Sequence, residues 1–295
     1  MKKMKSDLAC ISCKEKRLKK SLQCIDHTVS RETFAIHECL KCGLLMTHPR
    51  PDDTLIGKYY ASDKYISHTN SNKGLFNKIY QFVRKITLKE KLKLLGNKKG
   101  RLLEIGTGTG ELLSLCSKSG WKAVGVEPNK KARNIAKKNH SLTIFSSTKK
   151  LTINQNSMDK IMLWHVLEHV PDPNETISQI KNWLKKDGEA LLAVPNPSSW
   201  EAKYYKEFWA AYDVPRHLSH FTQKSMSNLI NRHDLKIKKV LPMWFDAFYI
   251  SMLSEKIRCG KINIFKSATI GLISNLNALI KNNEFSSLIY VIGHK

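Results

Sequence analysis

The chain has 295 residues, 41% of them hydrophobic and 25% charged, a balance that suits a folded protein with a sizeable core and excludes a disordered or fibrous one. Basic residues outnumber acidic ones 50 to 25, for a formal charge of +25, yet only nine of the fifty are arginine, the residue that phosphate forks and base-edge contacts favour. The charge is therefore read first as a lysine coat on a soluble enzyme, with a nucleic-acid partner as the less favoured reading. The lysine-rich start is followed by no apolar stretch of the kind a secretory signal needs. The best membrane candidate, 262–280, is interrupted by Lys266, Asn275 and Asn277, so no span is expected and the protein is assigned to the cytoplasm.

Four of the seven cysteines form two pairs, Cys10-Ile-Ser-Cys13 and Cys39-Leu-Lys-Cys42. Two CxxC turns a few tens of residues apart offer four thiolates to a tetrahedral ion, so residues 1–50 are read as a zinc-ribbon-like module. Cys24 and His37 lie between the pairs and are read as loop or core residues. Cys116 and Cys259 sit in apolar stretches and are read as inert. The module closes with His48-Pro49-Arg50-Pro51, a stiff exit. Residues 51–98 form a connecting helical region that carries Tyr59, Tyr60 and Tyr65, with apolar residues at helical spacing over 76–95 and a stop at Gly96-Asn97.

From residue 99 short apolar runs alternate with amphipathic ones. Strands are expected at 101–105, 122–126, 143–145, 160–164, 189–194, 236–241 and 287–292, and helices at 111–118, 129–138, 174–184 and 224–232. This order predicts an α/β fold, a Rossmann-like and mainly parallel seven-stranded sheet with helices on both faces. The alternating pattern defines one domain over 99–295, with a helical insertion at about 243–285.

The sharpest motif is Glu104-Ile-Gly106-Thr-Gly108-Thr-Gly110, between a strand and a helix. Glycines there let the backbone turn tightly and come close to a ligand. Glu127 ends the second strand, 21 residues after Gly106, where a carboxylate can accept from ribose hydroxyls. Nicotinamide dinucleotides and S-adenosylmethionine both fit this far. The spacing GxGxG, rather than the dinucleotide GxGxxG, and the acidic Glu104 favour the second, which carries a sulfonium and an ammonium and no pyrophosphate. After the fourth strand comes Leu163-Trp164-His165-Val-Leu-Glu168-His169-Val170, then Pro171-Asp-Pro173, and after the fifth Pro195-Asn196-Pro197. Here the chain resembles the class I S-adenosylmethionine-dependent methyltransferases, and within them a bacterial group with HVLEHV and PNP at these places. The paired CxxC motifs ending in Cys42-Gly43-Leu44, and Asp213-Val-Pro-Arg216-His217-Leu-Ser-His220-Phe221-Thr222, resemble the zinc-binding segment and the loop after the fifth strand of one subgroup.

The resemblance implies roles at matched positions. Glu104, Gly106, Gly108 and Gly110 would hold the methionine portion of S-adenosylmethionine, Glu127 the ribose, and Trp164 and His165 the sulfur end. Where many relatives carry an acidic residue against adenine, Ser146-Ser147 stand, so serine hydroxyls or backbone would serve. Candidate bases are His165, His217 and His220, and Arg216 would grip an anionic acceptor. Trp200, Tyr204, Tyr205, Phe208, Trp209 and Tyr212 offer either an acceptor wall or packing. A sugar or small hydroxylated molecule is the expected acceptor. The alternatives are an RNA methyltransferase using its zinc ribbon on RNA, a dinucleotide oxidoreductase, and a binding module on a relic fold. His165-Val-Leu-Glu168-His169 also spells the inverted zincin pattern, which needs a continuous helix; a strand before it and Pro171 after it argue against one.

Overall fold

The computed structural model describes residues 4–5, 9–52, 54–60 and 75–295, with side chains from residue 9 onward except 75–82. Tyr65 and the side chain of Phe76 lie outside the described residues. Strands β1 (Met4–Lys5), β2 (Leu18–Ile25), β3 (Thr33–Cys39), β4 (Leu45–His48) and β5 (Arg50–Pro51) come first. Helix α1 (Leu75–Leu94) follows and leads into β6 (Arg101–Ile105), α2 (Glu111–Lys118), β7 (Lys122–Val126), α3 (Lys130–His140) and β8 (Ile144–Phe145). Next are β9 (Met158–Trp164), α4 (Pro173–Trp183), β10 (Leu184–Pro195), α5 (Trp200–Tyr205), β11 (Ser219–His220), α6 (Gln223–Arg232) and β12 (Leu235–Pro242). The chain ends with α7 (Asp246–Cys259), α8 (Ile264–Ile280) and β13 (Ser287–His294).

Seven strands form one sheet in the order β12-β13-β10-β9-β6-β7-β8. β8, β7, β6, β9 and β10 run parallel, and β13 is antiparallel to both β10 and β12. This is a Rossmann-like fold with a mixed, mostly parallel sheet. The inner strands are buried on both faces, which is why Leu102, Leu103, Met162, Leu163 and 190–194 read as unbroken apolar runs. Helix ends follow local chemistry. Asp172 accepts from the backbone of Asn174 and Glu175 with Pro173 in the first turn of α4, and Thr222 and Ser225 cap α6 reciprocally. β10 begins at Leu184, so the one residue expected to end the helix opens a strand instead, with an irregularity before Glu189.

The break of chain order between β6 and β9 is the topological switch point, where ligands bind outside the carboxyl ends of the strands. The insertion consists of α7 and α8, which pack on each other and on α5. Among the described residues no helix is long and apolar enough to cross a membrane.

A second, four-stranded antiparallel sheet runs β11-β4-β3-β2. Its edge strand β11 comes from the loop after β10, pairing Ser219 with Met46 and His220 with Leu45. A strand from beyond residue 50 therefore completes the N-terminal sheet. Cys10, Cys39, Cys42, Leu44 and Met46 share one apolar cluster with Leu103, Leu163 and Leu192 of the large sheet.

Candidate active site

The glycine loop leaves β6 and is tied at once to the next strand, with the N–H groups of Gly106 and Thr107 both donating to Val126 O at 2.7 and 3.1 Å. Gly106, Gly108 and Gly110 have φ of 80°, 53° and 84°, the left-handed region where a Cβ is costly. A Cβ at Gly106 would meet Val166 Cγ2 at 2.3 Å and one at Gly110 would meet Ala136 Cβ at 2.9 Å, whereas one at Gly108 would have nothing within 4 Å. Two glycines are thus demanded by packing, and Gly108 alone borders open space. Glu127, at the end of β7, accepts from the Gly108 N–H with Oε2 and from the Asn129 N–H with Oε1, both at 2.8 Å. Its carboxylate holds the loop against β7 while standing where a ribose is expected.

Glu104 is buried at 3% exposure, and its Oε2 has no hydrogen-bond partner. Burial pushes its carboxyl up to about 8, against the pull of the nearby Lys91. Thr107 Oγ1 and Trp164 Nε1 on the same edge are also buried without partners. Lys91, on α1, lies 4.5 Å from the centre of the Trp164 ring. Arg84 on the same helix pairs with Glu111 at 2.8 Å. Helix α1 therefore lays two cations over this edge. Sequence reasoning missed both, because helical spacing marks them only as polar positions of a connecting helix.

His165 follows β9 with φ of 54°. Its Nδ1 lies 3.4 Å from Glu168 Oε1 and its Nε2 3.3 Å from Asp246 Oδ2. Burial opposes its charge, but the two carboxylates outweigh it and hold the imidazolium to about pH 9. At neutral pH the ring is a cation, unsuited to the role of base foreseen for it. Asp246, from the insertion, was not foreseen. The segment between His165 and α4 is not helical, so the zincin arrangement is absent there.

The loop after β10 brings His217 and His220 to this edge but buries both. Thr47 Oγ1 donates to His217 O at 2.6 Å, so its lone pair accepts from His220 Nε2 at 3.1 Å. With that nitrogen protonated and burial pushing the imidazolium down to about 3, His220 is a strand residue joining the two sheets, in place of the base expected. His217 Nδ1 faces Ala211 O at 2.8 Å, which selects the tautomer of the neutral ring with its lone pair on Nε2.

Arg216 also departs from expectation. Its side chain is 1% exposed. Its Nε and Nη2 grip Asp213 in a fork at 2.9 and 2.6 Å, Nη2 also reaches Asp26 Oδ1 at 2.9 Å, and Nη1 donates to Tyr59 O at 3.0 Å. Each guanidinium nitrogen donates inside the protein, so Arg216 locks the loop to the N-terminal sheet in place of facing an acceptor. Of the aromatics, Tyr205, Trp209 and Tyr212 are core residues packed with Phe34 and Ile36. Trp200 and Tyr204 stack with ring centres 5.4 Å apart.

The cysteine pairs come together as the spacing predicts. One sulfur from each of Cys10, Cys13, Cys39 and Cys42 lies within 4.8 Å of the other three. The Cys10–Cys42 and Cys13–Cys39 sulfurs are 3.5 Å apart, and the N–H groups of Cys13 and Cys42 point back at the sulfurs of Cys10 and Cys39.

A family model described as a methyltransferase domain matches residues 78–240. The chain belongs to this family. It is 30% identical over 109 residues to an uncharacterized protein of Methanocaldococcus jannaschii, covering 37% of this chain and 51% of that one. It is 26% identical over 113 residues to an uncharacterized methyltransferase of Alkaliphilus oremlandii, covering 37% and 50%. The chain thus spans about half the length of the curated relatives it matches. Among solved structures it is similar to the magnesium protoporphyrin IX methyltransferase of Synechocystis with bound SAH, at 12% identity and a TM-score of 0.54, covering 83% of this chain and all of that one. It is also similar to a SAM-dependent methyltransferase of Thermotoga maritima, at 18% identity and a TM-score of 0.50, covering 75% and 96%. At such identities these two establish the fold.

Proposed function

We propose that the protein is an enzyme that transfers a methyl group from S-adenosylmethionine to a hydroxyl of a small-molecule or sugar acceptor. The observation that carries this reading is the cradle at the switch point. A buried carboxylate oxygen of Glu104 without a partner, the open space beside Gly108, and Glu127 stand together there. These groups fit a ligand with a cationic amino-acid end and a ribose. When bound, S-adenosylmethionine supplies a methyl group made electrophilic by its sulfonium.

In this reading Glu104 receives the ammonium, and the Gly106–Gly110 backbone lets the methionine portion approach. Glu127 accepts from the ribose while keeping the loop in place. Trp164 and the His165 cation line the sulfur end. Lys91 gives the desolvated Glu104 a nearby cation, and Asp246 pairs with His165. With His165 protonated and His220 engaged, neither takes the hydroxyl proton, which is lost at the acceptor position beside Glu168, His169 and His217.

We further assign one zinc ion to Cys10, Cys13, Cys39 and Cys42. Sulfurs at about 2.3 Å from a tetrahedral zinc are about 3.8 Å apart, close to the 3.5 Å of the two sulfur pairs. The ion would brace the sheet that receives β11, and so the loop that carries His217.

Calorimetric titration with S-adenosylmethionine tests the cofactor. The wild-type protein should bind one equivalent, and Glu127→Ala should weaken binding by about 1.5–3 kcal/mol, as for loss of a charged acceptor. A wild-type protein that binds no S-adenosylmethionine overturns the reading. Mass spectrometry of sugars and hydroxylated metabolites incubated with isotope-labelled cofactor then identifies the acceptor.

A further inference from the structure

We infer that Glu168, His169 and His217 form a binding site for one divalent first-row transition-metal ion, distinct from the cysteine cluster. One ligand atom from each of the three lies within 4.8 Å of the other two. Glu168 is 1% exposed, and neither of its carboxylate oxygens accepts a hydrogen bond. His165 pairs with it from one side, with Nδ1 at 3.4 Å from Oε1. His165 covers one side of this carboxylate only, and a group withdrawn from water in this way still has its second oxygen to satisfy, which an ion on the side of His169 and His217 would do.

The two imidazoles are prepared as ligands. His169 Nδ1 is 3.0 Å from Arg216 O, and His217 Nδ1 is 2.8 Å from Ala211 O. A carbonyl only accepts, so each Nδ1 donates, and in the neutral ring that leaves the lone pair on Nε2. Backbone carbonyls on the outer nitrogen are how proteins fix the tautomer and orientation of metal-bound histidines. Tyr60 OH, also 3.0 Å from His169 Nδ1, adds a further restraint. The rings stand edge to face with centres 4.5 Å apart.

The backbone holds these groups together. Glu168 O accepts from the N–H groups of Leu218 and Ser219 at 2.8 and 3.1 Å, which fastens the loop of His217 onto the loop of Glu168 and His169. The zincin-like string thus has another use. His165 turns to Asp246 and Glu168, and the adjacent pair Glu168-His169 takes its third partner from a distant loop. Two imidazoles and one carboxylate suit manganese, iron, cobalt or zinc, whereas thiolates select softer or thiophilic ions. Three protein ligands leave positions for water or an acceptor oxygen. That last use rests on the methyl-transfer reading, and the binding of the ion does not.

Manganese(II) is the probe, because a four-thiolate cluster does not favour it. The full-length protein, with its cysteine site as purified, is titrated with manganese(II) chloride, and free ion is counted by electron paramagnetic resonance. One ion should bind per chain and raise the melting temperature. Glu168→Gln, close in shape, should weaken binding at least about 100-fold, more than loss of an outer-shell partner costs. His217→Gln should do the same and serves if the first variant does not fold. Glu127→Ala should bind manganese as the wild type does while losing cofactor affinity, which separates failure of this site from failure of the methyl-transfer reading. A wild-type protein that takes up neither manganese(II) nor cobalt(II) beyond its thiolate site overturns the proposal. So does a Glu168→Gln variant that binds manganese undiminished; Glu168 is then a buried ion-pair partner of His165.

Discussion

Glu104→Gln separates what a buried carboxylate costs the fold from what it does for a ligand. The carboxyl titrates at about 8 in the folded protein against an ordinary 4.5. A raised acid keeps its proton in the folded chain while the unfolded chain loses it. Stability from this residue is therefore complete below pH 4.5 and is lost as pH rises toward 8 and beyond. The interval between the two values corresponds to on the order of 5 kcal/mol at full ionisation. Glutamine has nearly the same shape and no charge at any pH. The variant should match the wild type in urea unfolding at pH 5 and exceed it by a few kcal/mol at pH 9. Glu201 is also pushed to about 8 by burial, so the wild-type slope is shared and the difference between the two curves isolates Glu104. The cofactor should respond in the opposite sense. Wild-type binding at pH 7 should release a proton, seen as a binding heat that changes with the buffer's ionisation enthalpy, and Glu104→Gln should weaken binding by about 1.5–3 kcal/mol. Parallel stability curves for the two proteins would refute the electrostatic reasoning, and equal affinities would remove Glu104 from the site.

Elemental analysis should find one zinc in each chain, and Cys10→Ser should lower the melting temperature of the whole protein, because the cysteines share the core beneath the large sheet; melting of the N-terminal sheet alone would contradict this. Arg216→Met should destabilise by about 3–5 kcal/mol in urea, the cost of leaving a buried partner such as Asp26 without its cation, and a change under 1 kcal/mol would show that Asp26 is held by its loop amides alone. Gly108→Ala should cost the fold about 1–2 kcal/mol for its left-handed backbone and abolish cofactor binding by filling the open space, whereas Gly106→Ala should fail mainly in stability because of Val166. Equal behaviour of the two glycine variants by calorimetry and melting would deny Gly108 its place beside the ligand.

The sequence by itself determined the sheet and the cradle. The apolar run at β6, the amphipathic helix after it and the glycines between them are local signals, since period and turn chemistry are properties of neighbouring residues. Glu104 and Glu127 were legible for the same reason, because each is placed by the end of a strand. The two CxxC pairs were legible as partners through their spacing, and the structure gathers their sulfurs. What the histidines and Arg216 do was decided only by tertiary structure. A histidine's protonation depends on what packs against it, and Asp246, Thr47 and Ala211 come from segments 81, 173 and 6 residues away from the rings they meet. Arg216 looked like an anion grip until Asp26, 190 residues earlier, closed on it. The pairing of β11 with β4 likewise had no local signal, because two residues of strand carry no period. Sequence places a side chain along the chain, but long-range burial decides which of its atoms meet a carbonyl, a carboxylate or a ligand, and that choice sets its chemistry.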